Sequence, residues 1–167
     1  NNKSDAELRA ALTPGVGRVV ADSFDELDHL EKLAADLDAC PEVLVRITPG
    51  VEAHTHEYIQ TGTEDSKFGF TVTGGVALAA IERVIASSRL QFAGLHCHIG
   101  SQIQRLDPWD GAVAVLAELA GQLPADGAVR ELNLGGGLGA RYLADDPPME
   151  IGAYVDALRA ALDRWWT

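Results

Sequence analysis

Apolar positions along the chain switch between two periods. Gly17 to Ala21 (GRVVA) is a short apolar run of the kind that fills a buried strand. Then Phe24, Leu27, Leu30, Leu33, Ala34 and Leu37 recur every three or four residues, which puts them on one helix face. Ser23, with Glu26 three residues on, is spaced as a capping box that opens this helix. Pro41 closes the unit. Val43 to Ile47 (VLVRI) reads as a second strand, stopped by Thr48-Pro49-Gly50. Residues 51–73 form a polar stretch rich in His, Thr and Glu, and loops that long tend to be functional or disordered. Thr73 is placed to cap a helix carrying Val76, Ala80, Ile81, Val84 and Ile85 on one face. Gln91 to His98 (QFAGLHCH) reads as a third strand. Asp107-Pro108 gives an N-cap and a first-turn proline for a helix with Val113, Leu116, Ala120 and Leu123. Val129 to Leu134 (VRELNL), a fourth strand, runs into Gly135-Gly136-Gly137, and a last helix with Tyr154, Val155, Leu158 and Leu162 follows Pro147-Pro148.

Strands alternating with helices predict an α/β fold with a parallel sheet covered by helices. Periodicity leaves a closed barrel and an open doubly wound sheet equally open. In both, sites form where strands end at their C-terminal edge. The polar and glycine-rich segments here fall in those places: Arg46 and the loop after it, His98 to Gln102, and Gly135 to Gly139.

Composition narrows the function classes. With 167 residues, 47% of them hydrophobic, the chain can bury the core of one domain. A formal net charge of -12 argues against nucleic acid or an anionic membrane as the main partner. No apolar run approaches the roughly 20 residues that span a bilayer. Cys40 and Cys97 form no CxxC pair, so a reducing, cytoplasmic setting is expected. The opening Asn1-Asn2-Lys3-Ser4-Asp5 is not a signal peptide and lacks Met, so a processed, truncated or partial chain is expected.

Four features bear on chemistry. Glycines after a strand, as in Gly135-Gly136-Gly137-Leu138-Gly139, let backbone N–H groups approach an anion, most often a phosphate. A tight turn is the plain alternative. The dinucleotide fingerprint fits poorly, because Asp146-Pro147-Pro148 interrupts the helix that it requires. His96 and His98 are two apart on a strand and face the same side. They could be hydrogen-bonded interior histidines, zinc ligands of a hydrolase, or, for His98, a flat ring against a flat cofactor. A zinc site would need ligands on later strands, and no histidine follows His98. His54 and His56 have similar spacing, but in a polar loop solvent exposure is the default. Arg46, inside an apolar strand, needs an acid or an anion as partner.

Leu95-His96-Cys97-His98-Ile99-Gly100-Ser101-Gln102-Ile103 resembles the HxHxGSQ segment of diaminopimelate decarboxylases, and Leu132 to Gly139 resembles their glycine loop. Asn1 to Ser4, Asp22 to Leu27, Arg46 to Val51, His54 to Ile59, Thr61-Gly62 and Lys67-Phe68-Gly69 match in the same order, over nearly the whole chain. The HxHxGS and glycine features are shared with fold-type III decarboxylases acting on ornithine, arginine or carboxylated polyamines.

The resemblance implies pyridoxal 5'-phosphate as cofactor and a (β/α)8 barrel, of which residues 1–167 form a single partial domain with about four of eight strand-helix units. It implies that His98 stacks on the pyridine ring, Ser101 and the Gly136 and Gly137 N–H groups hold the phosphate, and Arg46 lines the pocket near the ring. It implies no metal, a small amino-acid substrate and a homodimeric full-length enzyme, with Lys67 near its interface. The Schiff-base lysine of the family sits in a Tyr-Ala-x-Lys segment that does not occur here. The chain alone is therefore expected to be inactive.

Overall fold

The short apolar runs become strands wherever β-branched residues can be covered on one face by a helix stripe. In the computed structural model, which describes residues 2–51, 67–125, 127–142 and 149–166, helix α1 (Asp5–Leu12) comes first. Then follow β1 (Val19–Ala21), α2 (Phe24–Asp36), β2 (Glu42–Thr48), β3 (Phe70–Thr71), α3 (Val76–Ala86), β4 (Gln91–Cys97), α4 (Asp107–Ala120), β5 (Glu131–Asn133) and α5 (Ile151–Trp165). Every pairing is parallel, in the order β1-β2-β4-β5, with β3 beside the end of β2. The strand order follows chain order. A doubly wound sheet reverses direction at its switch point; this one does not, and reads as four successive strand-helix units of a (β/α)8 barrel.

The two faces of the sheet differ sharply. Val43, Val45 and Ile47 of β2 and Leu95 and Cys97 of β4 share one core with Leu27, Leu30 and Leu33 of α2, Ile81 and Val84 of α3, and Val113 and Leu116 of α4. The opposite face is polar near its top: Arg46 pairs in register with His96, and His96 with Asn133. At its bottom, Arg18 bridges Glu131 at 2.7 Å and also pairs with Glu42, while Arg130 bridges Glu42 at 2.7 Å. In a flat sheet the first and fourth strands would lie about 14 Å apart. A bridge of 2.7 Å between Arg18 and Glu131 across those strands fits a sheet that curls toward this face, as a barrel wall does.

Several local expectations shift. Ser23 does accept from the Glu26 N–H at 3.1 Å, but the Glu26 carboxylate does not return to Ser23. It accepts from the Asp22 N–H at 3.1 Å and pairs with Lys3. The complete capping box lies at Ser4 and Glu7, where it opens α1, a helix that the periodicity missed. Thr73 does not cap α3. It begins a 3-10 turn, and the cap position is Gly75, whose left-handed backbone redirects the chain. Asp107 is already helical, with Leu106 at the cap and Pro108 one position further in than expected, and the Asp107 carboxylate pairs with Arg105 at 2.7 Å instead of capping. His54, His56 and Pro147-Pro148 lie outside the described residues. No helix of the described residues is long and apolar enough to cross a membrane.

Helix α5 buries only Ala161 fully, and it docks on α4 through Tyr154, whose ring meets the buried Trp109 edge-on at 4.9 Å. Trp109→Ala should therefore cost about 3–5 kcal/mol and loosen α5 first. Chemical denaturation should show the lowered midpoint, and limited proteolysis should cut near α5 before the other helices.

Candidate functional site

The site is built by the chain segments that leave the C-terminal ends of β2, β4 and β5. Arg46 sits near the end of β2, largely buried, with Asp22 at the end of β1 facing its Nη1 at 3.5 Å. The Phe68 ring lies 5.2 Å from the guanidinium carbon, and Lys67 Nζ lies 5.0 Å from the same ring. Asp22 is held from behind: its N–H donates to Glu26, and Lys3 both pairs with Glu26 and donates to the Val20 carbonyl at 2.8 Å. Burial raises the Glu26 pKa, against the pull of Lys3.

His96 occupies the strand position beside Arg46, and His98 follows the last residue of β4. Burial, with the Arg46 charge adding to it, pushes His96 down to about 4 and also lowers His98. Both imidazoles are thus neutral near pH 7, and His96 Nδ1 is buried with no hydrogen-bond partner. Cys97, between them, points to the helix side. Burial lifts its thiol to about 12, so it packs as an apolar residue and is no nucleophile.

The glycine loop lies directly on the segment after β4. At Gly137, with φ +98, an added Cβ would stand 2.0 Å from the Gly100 carbonyl oxygen. At Gly135, with φ +71, it would stand 2.5 Å from the Cys97 oxygen and 3.1 Å from His98 Nδ1. A side chain is excluded at both positions by space and by backbone conformation. Gly136, between them, faces open space. The Gly135 N–H is satisfied by Asn133 Oδ1 at 2.9 Å. Among the described residues, the Gly136 and Gly137 N–H groups and the Ser101 hydroxyl have no partner.

Thus the segment of His98 to Ser101 and the segment of Gly135 to Gly137 pack against each other at two adjoining strand ends, with Arg46 two strand positions below His98 on the neighbouring strand. Sequence reasoning missed Asp22, Glu26 and Lys3 as the groups around Arg46, and Gln102 as a contact of the segment after the glycine loop. Asp22 could have been suspected from its place directly after a buried strand. The pairing of Lys3 with Glu26 has no local signal.

Free backbone donors beside a neutral planar ring suit a flat ligand with an anionic group, and the donors fit a phosphate. Among the described residues, no three His, Cys, Asp or Glu side chains are placed to hold a metal ion. The fold and site thus define a cofactor-binding (β/α) barrel portion.

The sequence family of pyridoxal-dependent decarboxylases, pyridoxal binding domain, matches residues 1–167, and the chain belongs to it. It is 43% identical to the diaminopimelate decarboxylase of Bacillus subtilis over 97% of its length, and 46% identical to that of Mycobacterium bovis over 89%. It spans 37% and 35% of those two proteins. Among solved structures, diaminopimelate decarboxylase from Helicobacter pylori, complexed with L-lysine, superposes with a TM-score of 0.85 at 31% identity. That match covers 97% of this chain and 41% of the other. Diaminopimelate decarboxylase from M. jannaschii, also in complex with L-lysine, superposes at 0.87 and 30% identity, over 99% and 38%. The family's cofactor is pyridoxal phosphate, so the metal-hydrolase alternative for His96 and His98 has no support.

His96 should titrate by NMR with a midpoint near 4. Its folded pKa lies below the unfolded value, so the unfolded chain binds more protons between them. This histidine should leave stability unchanged above about pH 6.5 and erode it as the pH falls toward 4. His96→Gln should flatten that part of a stability profile measured by denaturant midpoints.

Proposed function

We propose that the full-length protein carrying this chain converts meso-2,6-diaminopimelate to L-lysine and CO2, and that this chain supplies the ring-stacking and phosphate-binding part of its site. The observation that carries the reading is the cradle of unpartnered donors at Ser101, Gly136 and Gly137 beside a neutral His98. The names of the relatives at 43% and 46% identity support the substrate.

In this reading His98 gives the cofactor ring a flat, uncharged surface. A neutral imidazole can lie against the ring without placing a second cation beside Arg46. Ser101 donates its hydroxyl hydrogen, and Gly136 and Gly137 their N–H groups, to the phosphate. Arg46, braced by Asp22 and Phe68, keeps one fixed positive charge at the pocket floor. When bound, pyridoxal phosphate supplies the electron sink that takes up the electron pair left by the departing carboxylate. The three lysines here are Lys3, Lys32 and Lys67. Lys3 is engaged with Glu26 and Val20, Lys32 is exposed on α2, and Lys67 lies against the Phe68 ring. None of the three lies in the Tyr-Ala-x-Lys segment that carries the family's covalent lysine, so that lysine is assigned to the remainder of the full-length protein. A cytoplasmic homodimer completes the proposal.

The full-length protein should release CO2 from meso-diaminopimelate and form L-lysine, and this chain alone should not. Turnover of arginine or ornithine in place of diaminopimelate would move the assignment to a related decarboxylase. Turnover by the isolated chain would overturn the lysine assignment.

A cofactor titration followed by absorbance tests the cradle in the full-length protein. Gly137→Asp sets a carboxylate and a Cβ against the Gly100 carbonyl, and affinity should fall at least tenfold, about 1.4 kcal/mol. Ser101→Ala should cost less than Gly137→Asp, since water can replace one hydroxyl. Unchanged affinity in Gly137→Asp would reduce the glycine loop to a turn.

A further inference from the structure

Gln102 is one residue beyond Ser101 and has φ 56, a left-handed backbone that side chains other than Asn, Asp and Gly seldom adopt. Such a conformation persists where the surroundings enforce it, and it tends to gather at functional sites. Here the enforcing contact is visible. The Gln102 side-chain amide reaches the segment after the glycine loop, where Nε2 donates to the Ala140 carbonyl at 3.1 Å and Oε1 accepts from the Ala140 N–H at 2.8 Å. One residue further on, the main chain does the same work. The Ile103 N–H donates to the Gly137 carbonyl at 2.9 Å, and the Gly139 N–H donates to the Ile103 carbonyl at 2.9 Å, in a parallel bridge between Ile103 and Leu138. A primary amide carries a donor and an acceptor at the spacing of a peptide group. Gln102 thus adds a second rung to a ladder whose main-chain part is one bridge long.

We propose that Gln102 is a positioning residue for the phosphate cradle, clamping the Ser101 segment to the Gly136-Gly137 segment so that their free donors keep a fixed separation. The inference rests on the reading given under Proposed function, that a phosphate occupies these donors. Neither strand reaches this far: β4 ends at Cys97 and β5 at Asn133, so the two loops are held together by the Ile103 bridge and the Gln102 clamp. The side chain must be Gln. Asn tolerates the left-handed backbone but is one methylene too short to meet both Ala140 groups. Glu, when ionised, cannot donate to the Ala140 carbonyl and would bring a negative charge to an anion site.

The experiment compares pyridoxal phosphate with pyridoxal, which lacks the phosphate, in the full-length protein by absorbance titration. Gln102→Asn keeps the backbone preference without the reach, and Gln102→Gly removes the strain and the side chain together. Both variants should bind pyridoxal phosphate about tenfold more weakly and pyridoxal within twofold of the wild type. A purely structural role would weaken both ligands alike, and that result would overturn the proposal. A wild-type preference for the phosphorylated ligand that survives in both variants would overturn the clamp and leave the phosphate reading standing. Equal wild-type affinity for the two ligands would overturn the phosphate reading, and the clamp with it.

Discussion

The site depends on parallel register. Arg46, His96 and Asn133 share one layer of the concave face because β2, β4 and β5 pair Arg46 with His96 and His96 with Asn133. Side chains alternate across a strand, so a slip of one residue in β4 would turn His96 into the helix-facing core and bring Cys97 inside. The pattern is locked from the other face. Leu95 and Cys97 are fully buried against the helices, and exchanging them for histidine would bury imidazoles among aliphatic side chains. The apolar exterior of the barrel thereby specifies the polar interior without touching it.

Charge is then distributed along the concave face in two separate groups. At the bottom, Arg18, Glu42, Arg130 and Glu131 form an exposed network across the curled sheet; hydrogen bonding from Arg130 lowers Glu42, and hydrogen bonding to Glu131 raises Arg18. Exposed pairs of this sort contribute little individually. At the top, Arg46 is largely buried, with Asp22 as its counter-charge and the Glu26–Lys3 pair behind it. A buried charge acts over a longer effective range than an exposed one because less water screens it. That is why Arg46 contributes to lowering both His96 and His98. The neutral histidines and the fixed arginine are two aspects of one arrangement.

Close backbone approach supplies the rest of the site. Gly135 and Gly137 bring the segment after β5 onto the carbonyls of Cys97 and Gly100, at distances no side chain allows. That contact sets Gly137 against Gly100, the residue before Ser101, although the two segments are more than thirty positions apart in sequence. Asn133 takes up the Gly135 N–H and Ile103 takes up the Gly139 N–H, so the N–H groups of Gly136 and Gly137, which lie between them, are left for a ligand.

Much of this was legible in the sequence. Strand and helix order, the shared side of His96 and His98, and the glycine run followed from periodicity and residue type, because those are properties of neighbouring residues on one element. The resemblance to pyridoxal-dependent decarboxylases, carried by His96 to Gln102 and Leu132 to Gly139, turned a general α/β expectation into a barrel portion. Tertiary structure alone decided the partners. Glu26, spaced for a box with Ser23, serves Asp22 and Lys3 instead, because burial at the helix start offers it a cation and a stronger need for one. Asp107 and Thr73 yielded their cap positions to Leu106 and Gly75: the Asp107 carboxylate pairs with Arg105, and Gly75 supplies the left-handed turn ahead of α3. Arg46 showed from sequence that it needed a counter-charge; that Asp22 provides it follows from two strand ends lying side by side. Spacing along a chain can fix which residues share a face, but contact between elements is set by register and curvature, which exist only once the sheet has formed.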